Sequence, residues 1–337
     1  MAEILINQKN YDHNITQIAK FAGGLDKIIL VLKDNAYGHG LKLICQRASE
    51  LGIKFACVKN EEEAKICKNY FKDVLILSHI PHGNEDKNLT YALNDINQIS
   101  LFKTGTKVQI SVDTLMRRHG IKIEDLEKTV NEIAKKRLIL TGAYTHFRSS
   151  DEVNSEYFIQ KYNFNLAKDI LKHSAKKFGF EIKFHSQNSA ALERSKRNLQ
   201  DFVRVGMAQH GYSQFGDNPL NLKPTLSLYA NRISHRILHK GESIGYGGIF
   251  VANDDTDVAT YDLGYGDGLL RYNGIGDLRL ANGVKMLGKM SMDGFSSQNC
   301  GEKICLFNDA RIWANFFNTI SYDILVKLNP RIPRRWI

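Results

Sequence analysis

Eight short runs of apolar and β-branched residues recur through the first two-thirds of the sequence, and their number limits the architectures open to the chain. They are Ile28–Lys33, Lys54–Val58, Val74–Leu77, Leu89–Leu93, Lys107–Val112, Leu138–His146, Ile182–His185 and Phe202–Val205. Each has the length and residue types of a buried strand. Helical repeats lie between several of them. Ile123, Leu126, Val130 and Ile133 recur at three and four residues, and so do Ile159, Tyr162, Leu166 and Ile170. That spacing lines apolar side chains along one face of a helix. Eight strands alternating with helices favour an α/β fold of the (β/α)8 TIM-barrel type over an open doubly wound sheet. No Gly-x-Gly-x-x-Gly turn follows the first run, which argues against a dinucleotide-binding fold.

The texture changes at Leu222-Lys223-Pro224. Beyond it, alternating segments such as Thr225–Ile233, Val258–Leu263 and Leu278–Leu280 are broken by glycine-rich turns, with little helical period before Tyr322. This is the pattern of a smaller, mainly-β domain. A barrel over residues 8–222 and a β domain over 223–337 are expected, and residues 1–7 are grouped with the second domain through the strand-like Glu3–Ile6. Two domains suit a chain of 337 residues, which exceeds the usual single-domain size.

Composition removes several classes of function. No apolar run approaches the length of a membrane span, and Met1–Asn7 lacks the basic start and apolar stretch of a secretory signal. The five cysteines are scattered, and Cys300 and Cys305 are poorly spaced for a metal site, so no metal is expected there. Idle thiols suit a reducing, cytoplasmic compartment. The formal net charge of +10 is spread along the chain. Its densest cluster, Arg331-Ile332-Pro333-Arg334-Arg335, is short and has no interleaved aromatics, so nucleic acid is not an expected partner. Small anionic substrates account for such a charge equally well.

Barrel enzymes carry their chemistry at the C-terminal ends of the strands. Lys33 ends the first run here, ahead of a Gly38-His39-Gly40 turn, and His146 ends the sixth. Asn188 and Ser189 follow the seventh, and Arg204-Val205-Gly206-Met207 closes the eighth. A lysine withdrawn from water at a strand end suits imine formation, because desolvation favours a neutral amine. The plain alternative is a lysine leaving its strand for solvent. Ser189 at a helix start, with the Gly206-Met207 backbone, offers hydroxyl and N–H donors to a phosphate. Helix capping is the structural alternative for Asn188 and Ser189.

Lys33-Asp34-Asn35-Ala36-Tyr37-Gly38-His39-Gly40 resembles the cofactor-attachment signature of the alanine racemases, pyridoxal-phosphate enzymes of bacterial cell-wall metabolism. Tyr144-Thr145-His146-Phe147, Gln187-Asn188-Ser189-Ala190-Ala191 and Val203-Arg204-Val205-Gly206-Met207 are similar to later motifs of that family. The resemblance implies pyridoxal 5'-phosphate held by Lys33 as an internal imine, with Tyr37, Asn188, Ser189, Gly206 and Met207 around the phosphate. It implies Arg204 donating to the pyridine nitrogen, supported by His146. Val112-Asp113-Thr114-Leu115-Met116-Arg117-Arg118 resembles the segment whose arginine binds the cofactor phenolate and the substrate carboxylate, here Arg118. Gly245-Tyr246-Gly247-Gly248 matches the motif of the catalytic tyrosine. Gly264-Tyr265-Gly266-Asp267-Gly268 and Gly288-Lys289-Met290-Ser291-Met292-Asp293 match the motifs that bring Tyr265, Met292 and Asp293 to the substrate. In the family Tyr246 and Met292 would reach the site across a homodimer interface.

The resemblance has departures. Ser111 stands where many members carry a carbamylated lysine that orients the arginine, and Leu115 occupies a usual glycine position. Pro330 replaces a phosphate-binding tyrosine, and Gln209-His210 replaces a common aromatic pattern. The function implied is interconversion of L- and D-alanine through an external aldimine, with Lys33 and Tyr246 as the two bases, supplying D-alanine for peptidoglycan. Serine is the alternative substrate, since an apolar pocket discriminates weakly against one added hydroxyl. A decarboxylase of the same fold would pair the pyridine nitrogen with a carboxylate, which Arg204 argues against. A non-catalytic pyridoxal-phosphate carrier is the alternative outside enzymology, and the second domain with Tyr246 counts against it.

Overall fold

The computed structural model describes residues 2–337. They fall into two compact units: one holds Asp12–Asp34 with Ile44–Leu222, and the other holds the segment ending at Tyr11, Asn35–Leu43 and Lys223–Ile337. The fold is a nearly closed parallel barrel with a separate, mainly-β domain. Among the described residues, no helix is long and apolar enough to cross a membrane.

The chain begins with strand β1 (Glu3–Ile6), which belongs to the second unit, and helix α1 (Gln8–Ala22). All eight expected barrel strands then form: β2 (Ile28–Val31), β3 (Phe55–Val58), β4 (Asp73–Ile76), β5 (Thr90–Leu93), β6 (Lys107–Ser111), β7 (Ile139–Tyr144), β8 (Lys183–His185) and β9 (Val203–Val205). They pair in parallel in the order β8-β7-β6-β5-β4-β3-β2-β9. The two ends of that path are joined by Asp201 N donating to Phe184 O at 3.1 Å and Arg204 N donating to Gln187 O at 2.9 Å. Every residue of β2, β3 and β5 is buried, so these strands are apolar without alternation, as parallel strands covered on both faces must be.

After β2 come α2 (Lys33–Tyr37), a single turn, and α3 (Leu41–Glu50). Further along are α4 (Glu61–Cys67), α5 (Leu126–Lys135), α6 (Glu156–Lys176) and α7 (Ser189–Ser195). In α5 the expected stripe is the buried one, with Leu126, Val130 and Ile133 inside. In α6 the expected helix forms, and its covered face is a second one. Ile159, Tyr162 and Leu166 are exposed, whereas Tyr157, Gln160, Phe164, Ala167 and Leu171 are buried. The helix has two apolar stripes, and the one carrying the small Ala167 allows close approach. Between β4 and β5 the barrel has no helix at all.

In the second unit, β10 (Leu226–Leu238) is the spine. It pairs with β1, β13 (Thr256–Tyr261) and β16 (Lys303–Phe307), all antiparallel. Between β10 and β13 lies the small ribbon β11 (Ser243–Ile244) and β12 (Phe250–Val251). β14 (Met286–Leu287) and β15 (Phe295–Gln298) extend the sheet beyond β13. Leu278–Leu280 forms no strand, only an isolated bridge between Arg279 and Lys285. Two helices, α8 (Ala310–Phe316) and α9 (Ser321–Val326), precede β17 (Arg334–Trp336). α8 is unexpected, because its seven residues are too few for a readable period. β17 runs parallel to β1, which is thus flanked on both edges.

The turn α2 is left-handed: Asp34, Asn35, Ala36 and Tyr37 have φ of 54°, 56°, 51° and 53°. For L-residues that conformation costs roughly 1–2 kcal/mol each. Local bonds offset the strain. Leu41 N donates to Asn35 Oδ1 at 2.8 Å, Gly40 N to Asn35 O at 3.0 Å, and His39 Nδ1 to Tyr37 O at 3.0 Å. Arg334 Nε donates to Gly38 O at 2.8 Å, and the Tyr37 ring meets Tyr322 edge-on at 5.8 Å. Gly38 completes the reversal at φ 81°, where an added Cβ would lie 2.0 Å from Leu325 O. Gly38→Ala is therefore expected to destabilise the protein by more than about 2 kcal/mol, read as a lower urea midpoint at unchanged slope.

Candidate active site

At the barrel mouth the guanidinium of Arg204, on β9, is fixed by four hydrogen bonds. Its Nη1 donates to His185 Nδ1 and His185 O, both at 2.8 Å, and its Nη2 to Thr145 O at 2.6 Å and Ser186 O at 3.3 Å. His185 ends β8 and must accept at Nδ1, so its proton sits on Nε2, which donates to Gln109 Oε1 at 2.8 Å. The Tyr144 ring stacks on His185, 5.2 Å away and nearly parallel, and the guanidinium lies 5.2 Å over that same tyrosine. No carboxylate takes part. Burial, followed by the charge of Arg204, holds the His185 imidazole well below its ordinary pKa. The support expected from His146 is thus given by His185. This residue went unnoticed because a histidine inside a strand run looks like core.

His146, just beyond β7, does share this region. Burial is the main cause of its lowered pKa, and the positive charges of Arg204, Arg118 and Lys33 act in the same direction. Those four residues therefore converge on one end of the barrel. Lys33 is half-buried at the start of the left-handed turn. Arg118 is exposed, and its side chain has no partner among the described residues. Its loop is nonetheless tightly built. Asp113 Oδ1 accepts from Leu115 N and Arg117 N, both at 3.0 Å, and Arg117 is left-handed at φ 55°. Leu115, the residue in the glycine position, is bent to φ 154°. Thr114 Oγ1 lies 2.7 Å from Thr145 Oγ1, tying the loop to β7.

At the start of α7, Asn188 is the N-cap, with Oδ1 accepting from Ala191 N at 2.9 Å and from Ser150 Oγ at 2.9 Å. Its Nδ2 donates to Phe147 O at 3.3 Å, so its side chain serves the helix start. Ser189 accepts from Gly206 N at 3.1 Å and keeps its hydroxyl proton to donate. Gly206 precedes the short 3-10 turn Met207–His210. Gln209, a departure from the family pattern, donates from Nε2 to Val31 O at 3.0 Å and Val205 O at 3.3 Å, clasping the ends of β2 and β9.

The remaining expected residues lie in the second unit. Tyr37 is buried in the left-handed turn. Tyr246 opens a one-turn segment and is 61% exposed, and Met292 and Asp293 are also exposed. Tyr265 and Met292-Asp293 sit on adjoining turns, with Tyr265 N donating to Ser291 O at 3.2 Å and Gly266 N to Met292 O at 2.8 Å. Arg271 covers the Tyr265 ring at 5.6 Å. Pro330 contributes only its carbonyl, which accepts from Arg334 Nη1 at 3.1 Å.

The donor set can be tested against the expected cofactor. Four of the five N–H groups of Arg204 are committed, and nothing among the described residues accepts from Nε–H. A pyridine nitrogen, which offers a lone pair and no proton, fits that remaining donor. The hydroxyl of Ser189 fits a phosphate oxygen, and the Lys33 amine fits an aldehyde. The residues present suit pyridoxal phosphate.

Comparison with known proteins gives the same direction. Residues 6–214 match the family model described as alanine racemase, N-terminal domain, and residues 225–336 match alanine racemase, C-terminal domain. The alanine racemase of Campylobacter curvus is 54% identical over 338 residues, covering 100% of both chains. The crystal structure of alanine racemase from Bacillus anthracis with bound L-Ala-P superposes with a TM-score of 0.88 at 27% identity, over 100% of this chain and 95% of that one. An alanine racemase from Bartonella henselae with covalently bound pyridoxal phosphate has a TM-score of 0.86 at 23% identity, covering 100% and 99%, a likeness of fold.

The buried imidazoles carry a pH signature. His39, in the left-handed turn, is lowered to about 4 and His146 to about 3, chiefly by burial, and burial also holds His185 well below its ordinary value. All three are neutral when folded but bind a proton below about 6.5 once unfolded, so stability falls as pH drops through that value. Glu193 opposes them, because burial raises its carboxyl to about 7 and the folded state keeps a proton that the unfolded state releases. Three imidazoles against one carboxyl leave a net loss that steepens from pH 6.5 toward about 2.7 kcal/mol per pH unit near pH 5. Urea unfolding at pH 6.5, 5.8 and 5 should show it, and a flat profile would contradict the neutral-imidazole assignment.

Proposed function

The chain belongs to the alanine racemase family, isomerases of amino acids, and on that footing we propose that it interconverts L- and D-alanine with pyridoxal 5'-phosphate as cofactor. The observation that carries the reading is the single uncommitted N–H of Arg204, beside His146 and Lys33 at the barrel mouth. An arginine does not give up its proton, so a ring nitrogen facing it stays largely unprotonated. When bound, the cofactor would supply a carbonyl for attachment of an amine and a conjugated ring that draws electrons from the α-carbon.

The chain's own residues do the rest. Lys33 holds the cofactor and moves the α-proton on one face, and the Tyr246 phenol moves it on the other, since one base does not easily serve both faces. Arg118 binds the substrate carboxylate, aided by the Met292 N–H and Asp293, with Tyr265 at the approach. The Ser189 and Tyr37 hydroxyls and the Gly206 and Met207 backbone bind phosphate. Asn188 supports them by fixing the start of α7. His146, kept neutral, adds no positive charge next to Arg204 and Arg118. Tyr246 and Met292, both exposed in the single chain, are assigned to the partner's site in a homodimer. Alanine is the favoured substrate, with serine next. The setting is the cytoplasm, in keeping with five free cysteines, and the product D-alanine would supply peptidoglycan.

Incubation with L-alanine in D2O should give loss of optical rotation together with α-deuteration, and retention of the α-proton would overturn the reading. Lys33→Ala and Tyr246→Ala should each be inactive. Mixed in equal amounts under exchange, they should recover about a quarter of wild-type activity, because half the dimers are hybrids with one intact site each. Recovery of none would sink the shared-site assignment.

A further inference from the structure

On the barrel, away from the residues above, the helix-free connection between β4 and β5 carries a cluster that the racemase reading does not use. We propose that Glu61, His79 and His82 bind a divalent transition-metal ion of the zinc type, which ties this connection to the start of α4. One ligand atom from each of the three lies within 4.8 Å of the others. Two imidazoles and one carboxylate suit zinc or its borderline neighbours better than magnesium or calcium, which prefer all-oxygen sets.

The surroundings resemble a supporting shell. His79 is buried beneath the Tyr91 ring, 4.5 Å away, and meets the His82 ring edge-on at 5.2 Å. Tyr91 Oη donates to Glu61 Oε1 at 2.8 Å, leaving Oε2 directed at His82 Nε2, 3.3 Å away. The fully buried Glu85 lies 3.3 Å from His79 Nε2 and is fixed by backbone donors from His82 at 2.8 Å, Gly83 at 3.2 Å and Lys103 at 2.8 Å. Fixed carboxylates behind imidazoles are what orient metal-binding histidines.

Charge favours a cation. Among the described residues, Glu61 and Glu85 have no lysine or arginine partner, and Lys68 is committed to Asp86 at 3.2 Å. Two carboxylates therefore face two imidazoles, and a divalent ion balances the cluster. Asn84 N donates to His82 Nδ1 at 3.2 Å, so that ring now carries its proton on Nε2. Coordination through Nε2 shifts this proton to Nδ1 and releases the Asn84 contact, with no net proton uptake. His82 is half-exposed on its loop and has room to make that adjustment.

The test is calorimetric titration of untagged, cofactor-loaded enzyme with Zn2+ and, separately, Mg2+, in a non-coordinating buffer. One Zn2+ per chain should bind with a Kd on the order of 1 µM or tighter, and Mg2+ should not bind. His82→Ala and Glu61→Gln should each weaken Zn2+ binding at least about 100-fold, and Tyr91→Phe about tenfold, while racemase activity is kept as proof of folding. Equal Zn2+ affinity in wild type and His82→Ala would identify an adventitious surface ion and overturn the proposal. So would absence of Zn2+ binding at 100 µM, leaving only hydrogen bonds between imidazole and carboxylate.

Discussion

The left-handed turn after β2 is the constraint on which the candidate site depends. A β-strand can aim its last side chain only along the pleat. Four successive residues at φ near 55° follow Lys33 directly and reverse the usual hand of the backbone there. Part of the strain is offset from outside the turn, beyond the local bonds of Asn35 and His39. Arg334 gives its donors to the carbonyls of Gly38, Leu328, Asn329, Pro330 and Ile332, so one side chain satisfies both the turn and the closing segment. Desolvation lowers that arginine to about 10, which still leaves it charged at neutral pH. Strained backbone gathered at a candidate site, with compensation in the surrounding fold, is the arrangement expected where geometry matters to chemistry.

The electrostatics of the barrel mouth follow from one choice, a buried arginine without a carboxylate. Carbonyl oxygens and a neutral imidazole stabilise the guanidinium, and burial, with the arginine's charge acting in the same direction, keeps the nearby histidines unprotonated. Gln109, His185 and Arg204 form a line of hydrogen bonds in which every proton has one defined place. Exchanging Gln109 for a carboxylate would reverse that order by favouring the imidazolium. A neutral amide is the partner that keeps the whole line consistent.

Most of the barrel was legible because parallel strands buried on both faces are predominantly apolar, and the eight runs from Ile28 to Val205 are rich in apolar and β-branched residues. The second domain was harder to read. Short antiparallel strands carry only a few alternations, so Leu278–Leu280 looked like a strand although glycine turns on either side left it one bridge. In α6 the helix was legible and its covered face was not, because periodicity reports a stripe without saying which of two stripes is covered. The candidate site was readable where residue type and position were both unusual, as with Lys33 before a glycine turn. It was unreadable where a polar residue sat inside an apolar run, as with Gln109 and His185. Their partners are distant in sequence, and only the barrel brings them together.

The position of β1 has a consequence for how the chain is made. This strand is hydrogen-bonded to β10 on one edge and to β17 on the other, both encoded far downstream. During synthesis it leaves the ribosome long before either neighbour exists, and must wait with both edges open while the barrel assembles behind it. Its brevity, four residues from Glu3 to Ile6, limits the opportunity for pairing with the wrong strand in that interval. The pairing of β1 therefore waits for both β10 and β17 to be made, and joins segments far apart in the chain.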